Sequence, residues 1–229
     1  PLLTYALADY QPPLYHLLGY LTTHLFGFSE IALRLPSLIS GVLTVFFTFK
    51  IGDYLGSKKI GYLAGLLTAT NPLLIYYSQE GRTYAMTTFF VTASCYFFLK
   101  LLKEKTLSNS IFYTLFTILY LWTSYLSWFL LLSQLIYILF KKRYDILILQ
   151  IVAGATLLLW LPSLISSLSI GQSTLLTSPE WGKVVGGLSW KSLPLTWVKF
   201  NIGRLSFDNK IIYGLVVFGL GLIHAFSRK

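Results

Sequence analysis

Long apolar runs separated by short polar segments make up most of the chain. A helix needs about 20 apolar residues to cross a bilayer. The runs at 31–51, 60–77, 83–102, 144–168 and 211–226 therefore predict membrane-spanning helices. We expect an all-α fold, a polytopic bundle of transmembrane helices.

The run at 110–140 is too long for one crossing, and the polar stretch TSYLS interrupts it. We predict two helices here that turn between Trp122 and Trp128. If the run at 110–140 forms two helices, the chain crosses the membrane twice between each basic cluster and the next. The clusters are Lys58 and Lys59, Lys103 and Lys105, Lys141 to Arg143, and Arg228 and Lys229. All four then lie on one side, which the positive-inside rule assigns to the cytoplasm.

The segment 14–27 is apolar but too short to span a bilayer. We interpret it as a helix that lies in the outer membrane interface. Pro12 and Pro13 suit its first turn, where a missing N–H is harmless. Asp9 precedes this helix and would be stabilised by the positive end of its dipole.

The chain is predicted to be a single membrane domain over 1–229 and, from its first and last residues, a fragment of a longer protein. We assign 1–30 to the end of a first outer loop with the interfacial helix, and 31–168 to transmembrane helices. Residues 169–210 form an outer amphipathic loop, because tryptophan alternates with lysine there, as in segments that lie on a membrane surface. Such a loop could also cover an outward cavity. A further transmembrane helix occupies 211–229.

Composition supports a membrane protein and argues against other classes. Only 11% of the 229 residues are charged and mean hydropathy is +0.67, whereas soluble domains carry about 25% charged residues. The net charge of +10 could suggest a nucleic-acid partner. However, the basic residues flank apolar runs, so we expect none. Cys95 is the only cysteine, which excludes an internal disulfide.

Four charged residues are predicted to meet on the outer side: Asp9, Arg34, Glu80 and Arg82. Charges at membrane depth are costly and often mark a functional site. Simpler explanations exist for each. Arg34 could snorkel to lipid headgroups, Asp9 could cap a helix, and the other two could form a polar turn. In the functional interpretation Arg34 binds an anionic lipid phosphate, since a guanidinium can bind phosphate through two hydrogen bonds.

Several motifs occur in a fixed order along the chain. They are ADYQPPLYH, RLPS, a basic loop, NPLLIYYSQEGRTYA and LLLWLPSL. With this pattern the chain resembles glycosyltransferase family 39, which includes protein O-mannosyltransferases, the lipid A aminoarabinose transferase and lipopolysaccharide-core galacturonosyltransferases. The resemblance implies the C-type membrane glycosyltransferase fold. It also implies a multi-pass protein of the plasma membrane that transfers a sugar from a polyprenyl-phosphate donor to a protein, lipid or glycan acceptor on the extracytoplasmic face.

The resemblance also implies roles for individual residues. An outer-loop carboxylate acts as general base on the acceptor hydroxyl while the lipid phosphate leaves. By position, the catalytic candidates are Asp9 and Glu80. The candidates for substrate binding are Arg34, Arg82, Gln11, His16 and Tyr84. We assign no metal ligand, and a divalent cation such as Mg²⁺ or Mn²⁺ stays open because relatives differ.

The chain departs from the family pattern at three points. Gln11 stands where many members have histidine or lysine, and Ser124 where many have histidine. The family's main catalytic aspartate is expected upstream of Pro1, so we expect catalysis from the full-length protein rather than from this chain alone. The alternatives are a lipid-linked-sugar flippase or transporter, or an inactive homologue. A transporter should place ionisable residues near mid-membrane on broken helices, whereas here they gather at one face.

Overall fold

The computed structural model describes residues 11–166, 168, 214–219 and 221–222, and these residues form helices and turns without a strand. The helices are α1 (Leu14–Phe26), α2 (Glu30–Leu55), α3 (Lys58–Ala69), α4 (Pro72–Gln79), α5 (Thr83–Lys103), α6 (Leu107–Leu121), α7 (Trp128–Phe140) and α8 (Tyr144–Ala155). Short 3₁₀ turns cover Tyr125–Ser127 and Thr156–Leu159. The prediction of an all-α membrane helical bundle is confirmed. Asp9, the loop at 169–210 and the basic pair at 228–229 lie outside the described residues.

Two helices, α2 and α5, are long and apolar enough to cross a membrane. The outward side of α2 carries large apolar side chains, such as Val42, which is 65% exposed. A long helix whose outward side is apolar is typical of a membrane span, because that side contacts lipid. The helices α6, α7 and α8 are apolar but shorter.

The inner face of α2 is formed by small polar residues. Ser37, Ser40 and Thr44 are buried. The Ser40 hydroxyl donates to the Pro36 carbonyl at 2.7 Å, and the Thr44 hydroxyl donates to the Ser40 carbonyl at 2.8 Å. Hydroxyls that bond to the helix itself satisfy polar groups where no water is available. They also leave room for close packing by neighbouring helices.

The prediction of one helix over 60–77 is wrong, because the structure divides this segment into α3 and α4. The division comes from Asn71 and Pro72. The Asn71 side chain accepts hydrogen bonds from the backbone N–H groups of Leu73 (3.0 Å) and Leu74 (3.1 Å). Pro72 occupies the first turn of α4, where it needs no N–H donor. This Asn-Pro pair is a known signal for a new helix start.

The predicted division of 110–140 is present in the structure. Helix α6 ends at Leu121, and α7 begins at Trp128. The turn between them is closed by the Ser127 hydroxyl, which donates to the Tyr120 carbonyl at 2.8 Å. The same turn holds the start of α1, because the Leu14 N–H donates to the Trp122 carbonyl at 3.1 Å.

Basic clusters gather at one end of the bundle. The Lys103 ammonium lies 4.6 Å from the centre of the Tyr54 ring. Arg143 donates to the carbonyls of Leu101 (2.8 Å) and Leu102 (3.0 Å) at the end of α5. The start of α2 lies at the other end, since Leu33 is about 32 Å from Tyr54 along the helix at about 1.5 Å per residue. That length matches the hydrocarbon core of a bilayer, about 30 Å. The assignment of the basic end to the cytoplasm stays a prediction.

Candidate functional site

A polar cavity of about 390 Å³ opens between the start of α1 and the turn that joins α4 to α5. It is lined by Gln11, Tyr15, His16, Gly81, Arg82, Thr83 and Tyr84. Four of the five side chains that were predicted to bind substrate are among these: Gln11, His16, Arg82 and Tyr84. Two segments separated by about 65 residues of sequence therefore form one site, at the end of the bundle away from the basic clusters.

The two prolines place Gln11 at the cavity wall. Pro12 and Pro13 are both buried, and α1 begins directly after them. The Gln11 Oε1 atom is buried without a hydrogen-bond partner in the described part of the chain. A buried acceptor without a partner costs about 1–3 kcal/mol. Such an atom is suited to accept a hydrogen bond from an O–H or N–H group of a ligand.

Arg82 provides the positive charge of the cavity. Its side chain is exposed, and it occupies the N-cap position of α5. A hydrogen bond with the Tyr84 hydroxyl, together with the nearby Glu80 carboxylate, raises the pKa of Arg82. The guanidinium therefore stays charged. The N-terminus of α5 adds to this potential, because the free N–H groups of a first helical turn attract anions.

Tyr84 is held by a neighbouring aromatic side chain. Its ring centre lies 4.6 Å from that of Tyr77 on α4, a distance at which aromatic pairs attract each other. The contact joins the last turn of α4 to the first turn of α5. Tyr84, the hydrogen-bond partner of the Arg82 guanidinium, is thus packed against Tyr77 on α4.

Hydroxyl groups behind the cavity join α1, α2 and the α4–α5 turn. The Tyr15 hydroxyl donates to the Leu33 carbonyl at 3.1 Å and lies 3.2 Å from the Ser37 hydroxyl. The Ser37 hydroxyl donates to the Arg82 carbonyl at 3.1 Å. Burial raises the pKa of Tyr15, so this hydroxyl keeps its proton and its role as a donor.

A second, apolar cavity of about 290 Å³ lies between α2, α3, α4 and α5. Val42, Val45, Leu74 and Ile75 contribute to its wall. It borders the same turn as the polar cavity, because Gln79 and Ala85 line the apolar one while the residues between Gly81 and Tyr84 line the polar one. Sequence reasoning missed this cavity, although the Asn-Pro pair that divides α3 from α4 could have indicated it.

A comparison with protein families identifies the chain. Residues 10–169 match the family described as dolichyl-phosphate-mannose-protein mannosyltransferase, and this match covers more than half of the chain. The chain belongs to this mannosyltransferase family. It is a membrane glycosyltransferase of the mannosyltransferase type, and the family implies a lipid-linked sugar donor and a protein acceptor in general. No significant match was found among curated proteins or among solved structures.

Both cavities of this mannosyltransferase family member lie within the matched range. Every residue that lines either cavity falls between Gln11 and Thr88. Three residues of the polar cavity were missed by sequence reasoning: Tyr15, Gly81 and Thr83. Each lies inside a motif that was recognised, PPLYH or SQEGRTYA, so the motif itself contained the signal.

Two charged residues proposed from the sequence are not among the residues that line these two cavities. Arg34 pairs with Glu30 one turn earlier on α2, and its side chain is 48% exposed. Glu80 is half-buried at the end of α4 and lies close enough to Arg82 to stabilise its charge. Their predicted roles in phosphate binding and catalysis, and that of Asp9 outside the described residues, stay predictions.

A divalent cation has few ligands in this region. Within the described residues no three side chains of histidine, cysteine, aspartate or glutamate come together. Mg²⁺ and Mn²⁺ prefer carboxylate oxygens, and Glu80 is the nearest carboxylate to the polar cavity in sequence. His24 has a different role, since its Nε2 atom lies 3.1 Å from the Tyr20 hydroxyl on the exposed side of α1.

Proposed function

We propose that the full protein to which this chain belongs binds a polyprenyl-phosphate sugar and transfers the sugar to a protein, lipid or glycan acceptor on the extracytoplasmic face. The observation that carries the proposal is the pair of cavities at the α4–α5 turn. The polar cavity is lined in part by Arg82, whose guanidinium is positively charged. The other cavity is apolar and opens among the membrane helices. A lipid-linked sugar has the same two-part chemistry, a charged and hydroxylated head on an apolar tail.

The phosphate of the donor binds at Arg82. A guanidinium can hold two phosphate oxygens at once, and the N-terminus of α5 favours an anion at the same position. The interaction strengthens as the sugar leaves, because the bond that breaks transfers negative charge to the phosphate. Arg82 therefore contributes electrostatic stabilisation where charge develops.

The sugar occupies the part of the cavity formed by α1. The unpartnered Gln11 Oε1 atom accepts a hydrogen bond from a sugar hydroxyl. His16 is next to it along the wall and can serve as donor or acceptor. An amide has no charge, so these contacts suit a neutral hexose.

The polyprenyl chain begins at the apolar cavity. Burial of apolar surface stabilises such a contact by about 25 cal/mol per Å². The tail would pass between α2 and α4 and then enter the bilayer. This arrangement places the phosphate at the α4–α5 turn, where the two cavities approach each other.

The transfer itself needs a carboxylate near the acceptor. The acceptor hydroxyl loses its proton to the carboxylate, and its oxygen attacks the anomeric carbon with inversion. The bond from that carbon to the phosphate oxygen breaks, and polyprenyl phosphate leaves. The family's main catalytic aspartate is expected upstream of Pro1 in the full protein, and Asp9 and Glu80 are our candidates for catalytic carboxylates within this chain. A positioned general base contributes about 10²–10⁴-fold to rate.

The proposal that transfer occurs on the extracytoplasmic face rests on the distance along the bundle between the basic clusters and the polar cavity. The Lys103, Lys105 and Arg143 side chains belong to the end that the positive-inside rule assigns to the cytoplasm. The polar cavity lies at the end where α2 begins, opposite to them. Donor and acceptor would then meet outside the cell, where no nucleotide sugar is available and a lipid carrier is needed.

The test is transfer of radiolabelled sugar from polyprenyl phosphate in membranes that contain the full natural protein. We expect Arg82→Ala to lower transfer at least 100-fold, which is about 2.7 kcal/mol of transition-state stabilisation. Lys59→Ala is the matched control, because it removes a cation from the opposite end, and it should keep wild-type activity. Equal activity of Arg82→Ala and wild type would show that the donor phosphate binds elsewhere.

A further inference from the structure

A buried chain of hydroxyl groups links the three elements that surround the polar cavity. It runs from Leu33 on α2 to Tyr15 on α1, then to Ser37 on α2, and ends at the Arg82 carbonyl. Ser37 is fully buried and Tyr15 is 7% exposed. Hydrogen bonds that are shielded from water in this way are strong and hold their geometry.

The donors and acceptors define the direction of this chain. The Arg82 carbonyl has no proton, so the Ser37 hydroxyl must donate to it. The single proton of Tyr15 is then shared between the Leu33 carbonyl and the Ser37 oxygen. Removal of the Ser37 hydroxyl removes the hydrogen bond to the Arg82 carbonyl. Removal of the Tyr15 hydroxyl keeps that hydrogen bond but removes the one between Tyr15 and the Ser37 oxygen.

Local sequence explains why α2 can take part in this contact. Pro36 lies inside α2, and a proline removes one backbone hydrogen bond and bends the helix. Pro36 directly precedes Ser37 in the sequence. Gly81 lies against the same position, since a Cβ atom there would be 3.7 Å from the Tyr15 hydroxyl and 4.0 Å from the Leu33 carbonyl. The turn that contains Arg82 thus rests on the hydroxyl pair.

We propose that Tyr15 and Ser37 are positioning residues for Arg82 and determine where its guanidinium lies in the polar cavity. The role of Arg82 in donor binding rests on the proposed function. Its side chain is long and exposed, so an unrestrained backbone would let the charge occupy many positions. Fixing the backbone reduces the entropy that is lost when the donor binds, and it keeps the cation within reach of the phosphate.

The decisive variants are Ser37→Ala and Ser40→Ala. Both remove one buried hydroxyl from the same face of α2. Ser40, however, bonds within its own helix, to the Pro36 carbonyl, and has no hydrogen bond to the turn. We expect Ser37→Ala to raise the KM for the donor about 5–10-fold, the effect of one lost hydrogen bond, with little change in kcat. Ser40→Ala should leave the KM near the wild-type value.

Amide hydrogen exchange provides a readout that does not depend on catalysis. In Ser37→Ala the amides of residues 80–84 should exchange faster, while those of α6 to α8 keep their protection. Tyr15→Phe is the second variant if Ser37→Ala does not fold, and it should show a smaller change in the same residues. Unchanged exchange at 80–84 in both variants would overturn the proposal.

A double-mutant comparison tests whether Ser37 acts through Arg82. If it does, Ser37→Ala should raise the KM much less in an Arg82→Ala background than in wild type, because no cation remains there to be positioned. Fully additive effects would refute the positioning role. If no variant, including Arg82→Ala, changes the KM or the rate of sugar transfer, the proposed function fails. The amide exchange rates of residues 80–84 then still show whether Ser37 stabilises the turn that contains Arg82.

Discussion

Replacement of Gln11 by leucine should change stability and donor binding in opposite directions. The Gln11 Oε1 atom is buried at the cavity wall and has no partner in the described part of the chain. Leucine has a similar size and no polar atom, so the substitution removes a group that destabilises the free protein. It also removes the acceptor that we assign to a sugar hydroxyl.

The structure allows the size of both effects to be worked out. An unpaired buried acceptor costs about 1–3 kcal/mol. We expect about 1 kcal/mol of this to be regained in Gln11→Leu, which raises the Tm by about 2–4 °C for a chain of this length. Loss of the bond to the sugar should raise the KM for the donor about 10-fold, which corresponds to about 1.4 kcal/mol.

The same substitution at Gln134 is the matched control. Gln134 is also buried, but its Oε1 atom accepts a hydrogen bond from the Tyr113 hydroxyl at 2.9 Å. Gln134→Leu leaves that hydroxyl without its acceptor and should lower the Tm. Thermal unfolding in detergent, followed by tryptophan fluorescence, measures both variants, and initial rates of sugar transfer give the KM. A lower Tm together with an unchanged KM in Gln11→Leu would refute the reasoning.

Four further substitutions test other parts of the protein. Arg143→Ala removes two hydrogen bonds to α5 carbonyls and should lower the Tm by about 4–8 °C, or about 2 kcal/mol, while Lys141→Ala, an exposed neighbour, should change it little. Gly61→Ala should destabilise the protein by about 1–3 kcal/mol in chemical unfolding, because the new Cβ would lie 2.8 Å from a carbonyl of α2. Gly154→Ala meets open space and should stabilise by about 0.5–1 kcal/mol. The sequence-based role of Arg34 predicts that Arg34→Ala abolishes transfer but not membrane insertion; retained transfer would refute that role.

The site illustrates how far motifs predict a structure. The family resemblance carried by QPPLYH and SQEGRTYA predicted Gln11, His16, Arg82 and Tyr84 as substrate-binding residues, and all four line one cavity. Arg34 was selected by the same argument, yet it pairs with Glu30 on the exposed side of α2. A spacing of four residues on a helix allows this pair, and only the direction of the side chain distinguishes it from a cavity residue.

The sequence by itself determined the all-α membrane class and the division of 110–140 into two helices. These follow from hydropathy, length and local turn chemistry, which depend on neighbours along the chain. Only the tertiary structure decided that Ser37 holds the Arg82 turn and that an apolar cavity lies beside the divided α3–α4 segment. Both depend on contacts between residues distant in sequence, and such contacts are set by packing of whole helices, which no local pattern specifies.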